Sequence, residues 1–173
     1  MANRHTIIVM VSIAIIVGSV GYSAIGAISA KDLQFRWHQI DSFDFIAVLV
    51  QGDFAVCNPT SLPANFESYS FSMTYDGNDL GTFVTEGGSI APNTIGVIHG
   101  KLQSDDKRIS EMFFAFLDTE FGGTDVARID SSKMTVKTTT ETKILGVIPY
   151  AITHDYSGKE FVDMMNQKTS CDK

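Results

Sequence analysis

The chain opens with one long apolar run and then changes period. Thr6 to Ala30 carries no charged side chain, and its centre, Ile7 to Val17, is strongly apolar. A helix of about 20 residues crosses the hydrocarbon core of a bilayer, so the run predicts a transmembrane helix over residues 6–30 behind a short tail, 1–5. Gly18, Tyr22 and Gly26 share one face of that helix, a spacing that suits close helix packing. The competing reading is a cleaved signal peptide, because Ala24–Gly26 and Ala27–Ser29 supply small-residue cleavage sites behind a short basic leader. The run exceeds a usual signal core, which favours an uncleaved anchor. Lys and Arg nearly balance across the two flanks, and a five-residue leader is readily left in the cytoplasm. The expected topology is therefore N-in, with the larger part of the chain on the extracytoplasmic side.

From Leu33 the period falls to about two. Leu33, Phe35 and Trp37 alternate with polar residues and predict a first strand. Phe43 to Val56 is β-prone, with Gly52 marking a bend or bulge. Tyr69, Phe71, Met73 and Tyr75 alternate with Ser68, Ser70, Ser72 and Thr74, the pattern of a half-buried antiparallel strand. Asp76-Gly77 predicts a hairpin turn into a partner strand, Leu80 to Glu86. Thr94 to Leu102 and the Thr-rich 133–145 continue the series. Val147 to Asp155 closes it, and Pro149 places that strand at an edge or bulge. Between them, Ser104 reads as a helix cap. Ile109, Met112, Phe113, Phe116 and Leu117 follow at helical spacing as one inserted amphipathic helix, ended by Gly122-Gly123. Glu160 to Asn166 suits one or two helical turns, and residues 167–173 read as a frayed end. Seven or eight short strands with regular turns predict an all-β antiparallel sandwich domain over 31–160 and a C-terminal tail over 161–173.

Composition narrows the partners. The 173 residues carry a net charge of −7, with no basic stripe for phosphate, which argues against nucleic acid. Cys57 and Cys171 match no metal spacing. They would pair only in an oxidising compartment; an apolar, unpaired Cys57 and a free Cys171 is the reading favoured by residue type. His5, His38, His99 and His154 form no metal motif, and Asp76 and Asp79 supply too few oxygens for calcium. Glu120 and Asp125 bracket a glycine loop on an acidic surface. No nucleophile elbow, phosphate loop or dinucleotide fingerprint is present. The expectation is no catalytic residue, no metal and no cofactor.

Asn58 before Pro59 ends one strand in an extended conformation, and Pro63 opens the next. In order and spacing, Val56-Cys57-Asn58-Pro59-Thr60, Pro63, the hairpin with Gly77, Leu80 and Gly81, and the Pro92-Asn93-Thr94 turn resemble the group-two late embryogenesis abundant family, the water-stress-and-hypersensitive-response (WHy) domain. The resemblance covers roughly residues 40–156. Cys57 departs from the polar or basic residue more usual in that family. The resemblance implies an immunoglobulin- or fibronectin-III-like sandwich, often behind a membrane helix. It also implies a non-enzymatic role in stress protection or protein binding at a membrane surface. Asn58, Pro59, Pro63, Gly77, Gly81 and Pro92 would be its structural motif residues; it supplies no catalytic ones.

The functional expectation is a single-pass, membrane-anchored β-sandwich with a binding or shielding role. One alternative is an accessory subunit of a membrane protein complex, held through Gly18 and Gly26. A further alternative is a pilin-like filament subunit, for which the usual basic-Gly processing site before the helix is missing.

Overall fold

The computed structural model of the chain describes residues 3–38, 43, 45, 51–104, 107 and 133–172. The amphipathic helix expected after Ser104, its Gly122-Gly123 stop, and Glu120 and Asp125 lie outside these residues.

The apolar run forms α1, Arg4–Ser29, long and apolar enough to cross a membrane. Its 26 residues extend for roughly 39 Å. It divides into two parts. The large side chains from Ile7 to Tyr22 are exposed, whereas Gly26, Ala27, Ser29 and then Ala30 are buried. The buried part packs on the β domain, and a single 3-10 turn, Ala30–Asp32, leads into the first strand.

Nine strands follow among the described residues: β1 (Gln34–Trp37), β2 (Gln51–Asn58), β3 (Ala64–Phe66), β4 (Ser68–Tyr75), β5 (Asn78–Thr85), β6 (Gly88–Ile90), β7 (Thr94–Gln103), β8 (Met134–Ile144) and β9 (Ile148–Ser157). Helix α2 spans Gly158–Asn166. Seven strands form one antiparallel sheet in the order β1-β2-β7-β5-β4-β8-β9, and β3 pairs with β6 in a second, small sheet. The fold is all-β and antiparallel with a long N-terminal helix, as the period change predicts. The large sheet curls over its own core. Phe35 of β1 stacks on Tyr69 of β4 at 3.8 Å, although three strands separate β1 and β4 in the sheet order.

The inward positions of the alternating strands make that core. Phe54, Phe71, Met73, Phe83, Met134 and Phe161 are fully buried. Phe71 stacks on Phe83 at 5.0 Å, and Phe161 of α2 lies 4.9 Å from Phe71. Burial of each such side chain contributes about 1.5–3 kcal/mol. Gly52 and Gly100 face each other across β2 and β7, and this pair makes room for rings. A Cβ on Gly52 would lie 2.2 Å from Trp37, and one on Gly100 would lie 2.2 Å from Phe83. Gly52 thus marks a close approach by an aromatic side chain rather than a bulge, and Trp37 is a core residue.

The C-terminal segment departs from the expected frayed tail. Ser157 and Glu160 form a capping box that starts α2, and α2 sends Phe161 and Met165 into the core. Beyond α2, Arg36 pairs with Asp172 at 2.7 Å, Gln34 is hydrogen-bonded to Ser170, and Cys171 is bonded to Cys57. Residues 158–172 therefore close the domain. The unpaired Cys57 expected from residue type is likewise corrected, because the fold brings the two cysteine Cα atoms to 5.8 Å.

Candidate functional site

Four of the motif residues, Asn58, Pro59, Pro63 and Pro92, meet at one end of the domain. Asn58 ends β2 with its side chain fully buried. Its amide donates to the carbonyls of Leu62 at 2.7 Å and Ile90 at 3.0 Å. Its side-chain oxygen accepts from the Thr60 amide at 3.1 Å and the Thr60 hydroxyl at 2.8 Å. All the polar valences of this asparagine are thereby used, so it clamps the Pro59–Pro63 turn to β6. The Pro92-Asn93 turn docks on the same clamp, with the Asn93 amide donating to the Thr60 carbonyl at 3.2 Å. Gly77 and Gly81 lie away from this cluster. Asp76 and Gly77, both in the left-handed region, make the predicted hairpin turn, and Gly81 is closely packed on Ser104.

A cleft of about 320 Å³ opens between the two edges of the curled sheet. Gln34 and Phe35 of β1 line one wall, and Ile152, His154 and Tyr156 of β9 line the other. The reason lies in β8, whose inward residues change from Met134 and Val136 to Thr138, Thr140 and Thr142. Apolar residues close the core at one end of the strand, and hydroxyls leave a polar lining at the other. Tyr69 forms the floor. Burial raises its phenol well above the ordinary value, and burial also raises that of Tyr156, reinforced by the charge of Glu160. Both phenols stay protonated near neutrality, so they offer hydrogen bonds rather than a general base. A volume of this size is at the small end for a ligand pocket. Beside the cleft, β9 is an edge strand with one ladder partner among the described residues, β8. Pro149 lies within β9, where an edge position tolerates the missing donor.

No group of three or more His, Cys, Asp or Glu side chains is arranged to hold a metal among the described residues. His99 Nδ1 lies 2.6 Å from Asp53 Oδ1 on the outer surface, away from the cleft lining. The hydrogen bond to Asp53, with its charge, raises the His99 pKa above the ordinary histidine value. His154 lines the cleft, and His38 donates its backbone amide to the Asp53 carbonyl.

The three residues of the proposed helix-packing face separate. Gly26 is buried in this chain's own domain, where an added Cβ would lie 3.1 Å from Asn65 Nδ2. A Cβ on Gly18 would meet nothing within 4 Å, and Tyr22 is 64% exposed. Sequence reasoning missed the cleft and the tail that closes it. The run of threonines in β8 was the available signal.

No family model matches the chain, and no curated protein matches it. A crystal structure of a protein from Archaeoglobus fulgidus is similar over 72% of this chain and 94% of that one, at 8% identity and a TM-score of 0.34. Likeness at that level carries no argument about function.

Proposed function

We propose that the chain is a non-enzymatic, single-pass, membrane-anchored β-sandwich protein that binds or shields protein segments at the extracytoplasmic surface, in the manner of WHy-type stress proteins. The observation that carries this reading is the continuity of α1 with a disulfide-closed domain. An exposed apolar helix runs directly into a one-turn collar whose Gly26, Ala27, Ser29 and Ala30 are buried, and the domain beyond it joins Cys57 to Cys171. Such a bond persists in an oxidising compartment, which supports the N-in orientation. The collar supports an uncleaved anchor, because each candidate cleavage site includes residues buried against the domain, Gly26 in the first and Ala27 and Ser29 in the second. The open edge of β9 supports binding by strand addition, with alternate side chains of the added segment entering the cleft.

The test is a heat-aggregation assay of a client enzyme in the presence of vesicles carrying the full chain. Suppression of light scattering, weakened by Thr140→Phe in the cleft, is the expected result. Vesicles that leave aggregation unchanged contradict the shielding role. A stoichiometric companion on a native gel after mild-detergent extraction would move the assignment to an accessory subunit.

A further inference from the structure

The exposed apolar side chains of the domain are unevenly placed. Among the described residues outside α1, the exposed large hydrophobics are Leu62, Ile95 and Val97, together with four in one short stretch: Leu145, Val147, Ile148 and Tyr150. That stretch is the tip of the β8–β9 hairpin. Val147 is 74% exposed, the highest value among the described large hydrophobics, those of α1 included. From Ile144 to His154 the sequence holds no Asp, Glu, Lys or Arg, although the chain as a whole is acidic.

The tip lies where α1 leaves the domain. The Leu145 amide donates to Ser23 Oγ at 2.6 Å. Ser23 follows Tyr22, and beyond it the exposed apolar face of the helix continues at Ile25 and Ile28. From Thr6 to Ile28 the apolar face rises about 33 Å, enough to cross a hydrocarbon core of about 30 Å, and Ser23 lies about 8 Å short of its upper end. Whatever is fixed beside Ser23 therefore stands at the level of the bilayer interface. The hairpin tip is fixed there by the Ser23 contact. Leu145 also adopts φ +56° and Gly146 φ +69°. A bulky residue rarely occupies that region, and such strain is retained where a site needs the side chain. Asparagine or glycine would relieve the strain but remove the apolar group from the tip.

We propose that the β8–β9 tip is a second membrane contact, inserted into the interfacial layer of the leaflet from which α1 emerges. It takes lipid acyl chains and glycerol-level groups through Leu145, Val147 and Ile148, with Tyr22 and Tyr150 at headgroup depth, as interfacial aromatics are. Two contacts fix the domain's orientation where a single helix would leave it free to swing. The β4–β5 turn then stands away from the bilayer. Tyr75, which precedes it, pairs with Met134 at the far end of β8, about 33 Å from Ile144 at the usual strand rise.

This inference rests on the anchoring reading, and one experiment separates the two. The full chain is reconstituted in phosphatidylcholine vesicles with or without brominated acyl chains, and tryptophan emission is compared for Ile13→Trp in α1, Val147→Trp at the tip and Asn78→Trp at the β4–β5 turn. The unaltered chain, with Trp37 in its core, gives the background. Emission lost to bromine at residues 13 and 147 but retained at 78 is the expected result. Loss at 13 with full emission at 147 overturns the hairpin contact and leaves the anchor, as would a water-shielded but unquenched 147 seated on protein. Full emission at 13 overturns both. Ile148→Trp gives the same readout should Val147→Trp fold poorly.

Discussion

Cys57 in β2 is bonded to Cys171 across 114 residues of sequence, and the bond seals the C-terminal segment to the outer side of the first two strands. Closing a loop of that length lowers the entropy of the unfolded chain, and loss of such a native bond costs about 2–5 kcal/mol. Reduction should therefore lower the thermal midpoint clearly, and Cys57→Ala with Cys171→Ala should reproduce the loss without reductant. Calorimetry of the oxidised and reduced protein checks this; equal midpoints would contradict it.

Asn58 is a buried clamp with every polar valence used. Asn58→Ala leaves the Ile90 carbonyl without its donor and frees the Pro59–Pro63 turn. An unsatisfied buried group and its lost bonds together cost about 3 kcal/mol. Asn58→Asp should be at least as damaging, because it sets a carboxylate against the carbonyls of Leu62 and Ile90. Denaturant unfolding of both variants gives the comparison.

The glycines separate close packing from open space. Gly52→Ala drives a methyl group into Trp37 and should destabilise the domain by about 1–3 kcal/mol, the usual cost of overpacking. Gly26→Leu should loosen α1 from Asn65 and make the 23–30 segment accessible to protease. Gly18→Leu should change neither stability nor proteolysis, since nothing surrounds that position. Its effect on complex assembly in membranes would instead report a partner helix.

Two surface pairs give opposite pH signatures. The His99 pKa is raised, so its pair with Asp53 stabilises the fold fully below the unfolded histidine value and fades as pH rises through the folded one. Asp53→Asn should return the His99 titration, followed by NMR of the imidazole, toward about 6.5. The Asp172 pKa is lowered, first by the Thr169 amide and then by the Thr169 hydroxyl and the Arg36 charge, while desolvation opposes the shift. Its contribution is present above the ordinary carboxylate value and is lost as pH falls through the lowered one. Asp172→Asn should flatten the acid limb of stability and leave the limb near neutrality unchanged.

Local periodicity made much of the sheet legible. The alternation from Tyr69 to Tyr75 placed β4 and its inward face, Asp76-Gly77 placed the hairpin, and Pro149 placed β9 at an edge. These features depend on neighbours within a few residues. What escaped depends on distant ones. Nothing near Asn58 marks Ile90 as its acceptor, and nothing near residue 171 shows that Arg36, Gln34 and Cys57 will hold it. The polar tail therefore looked unattached. Gly26 looked available to another helix for the same reason, because its partner, Asn65, comes from a strand that the N-terminal sequence does not announce. The cleft needs the sheet's curl, which brings β1 and β9 together from opposite ends of the strand order.

The central claim is that α1 is retained as an anchor and that the domain it carries is oxidised. Intact-mass measurement of the protein, extracted from washed membranes in the presence of an alkylating reagent and without reductant, tests both halves at once. The account predicts a chain that still carries residues 4–29 and has no alkyl group on Cys57 or Cys171. A chain starting near Ile25–Ala30, or one with both thiols alkylated, would contradict it.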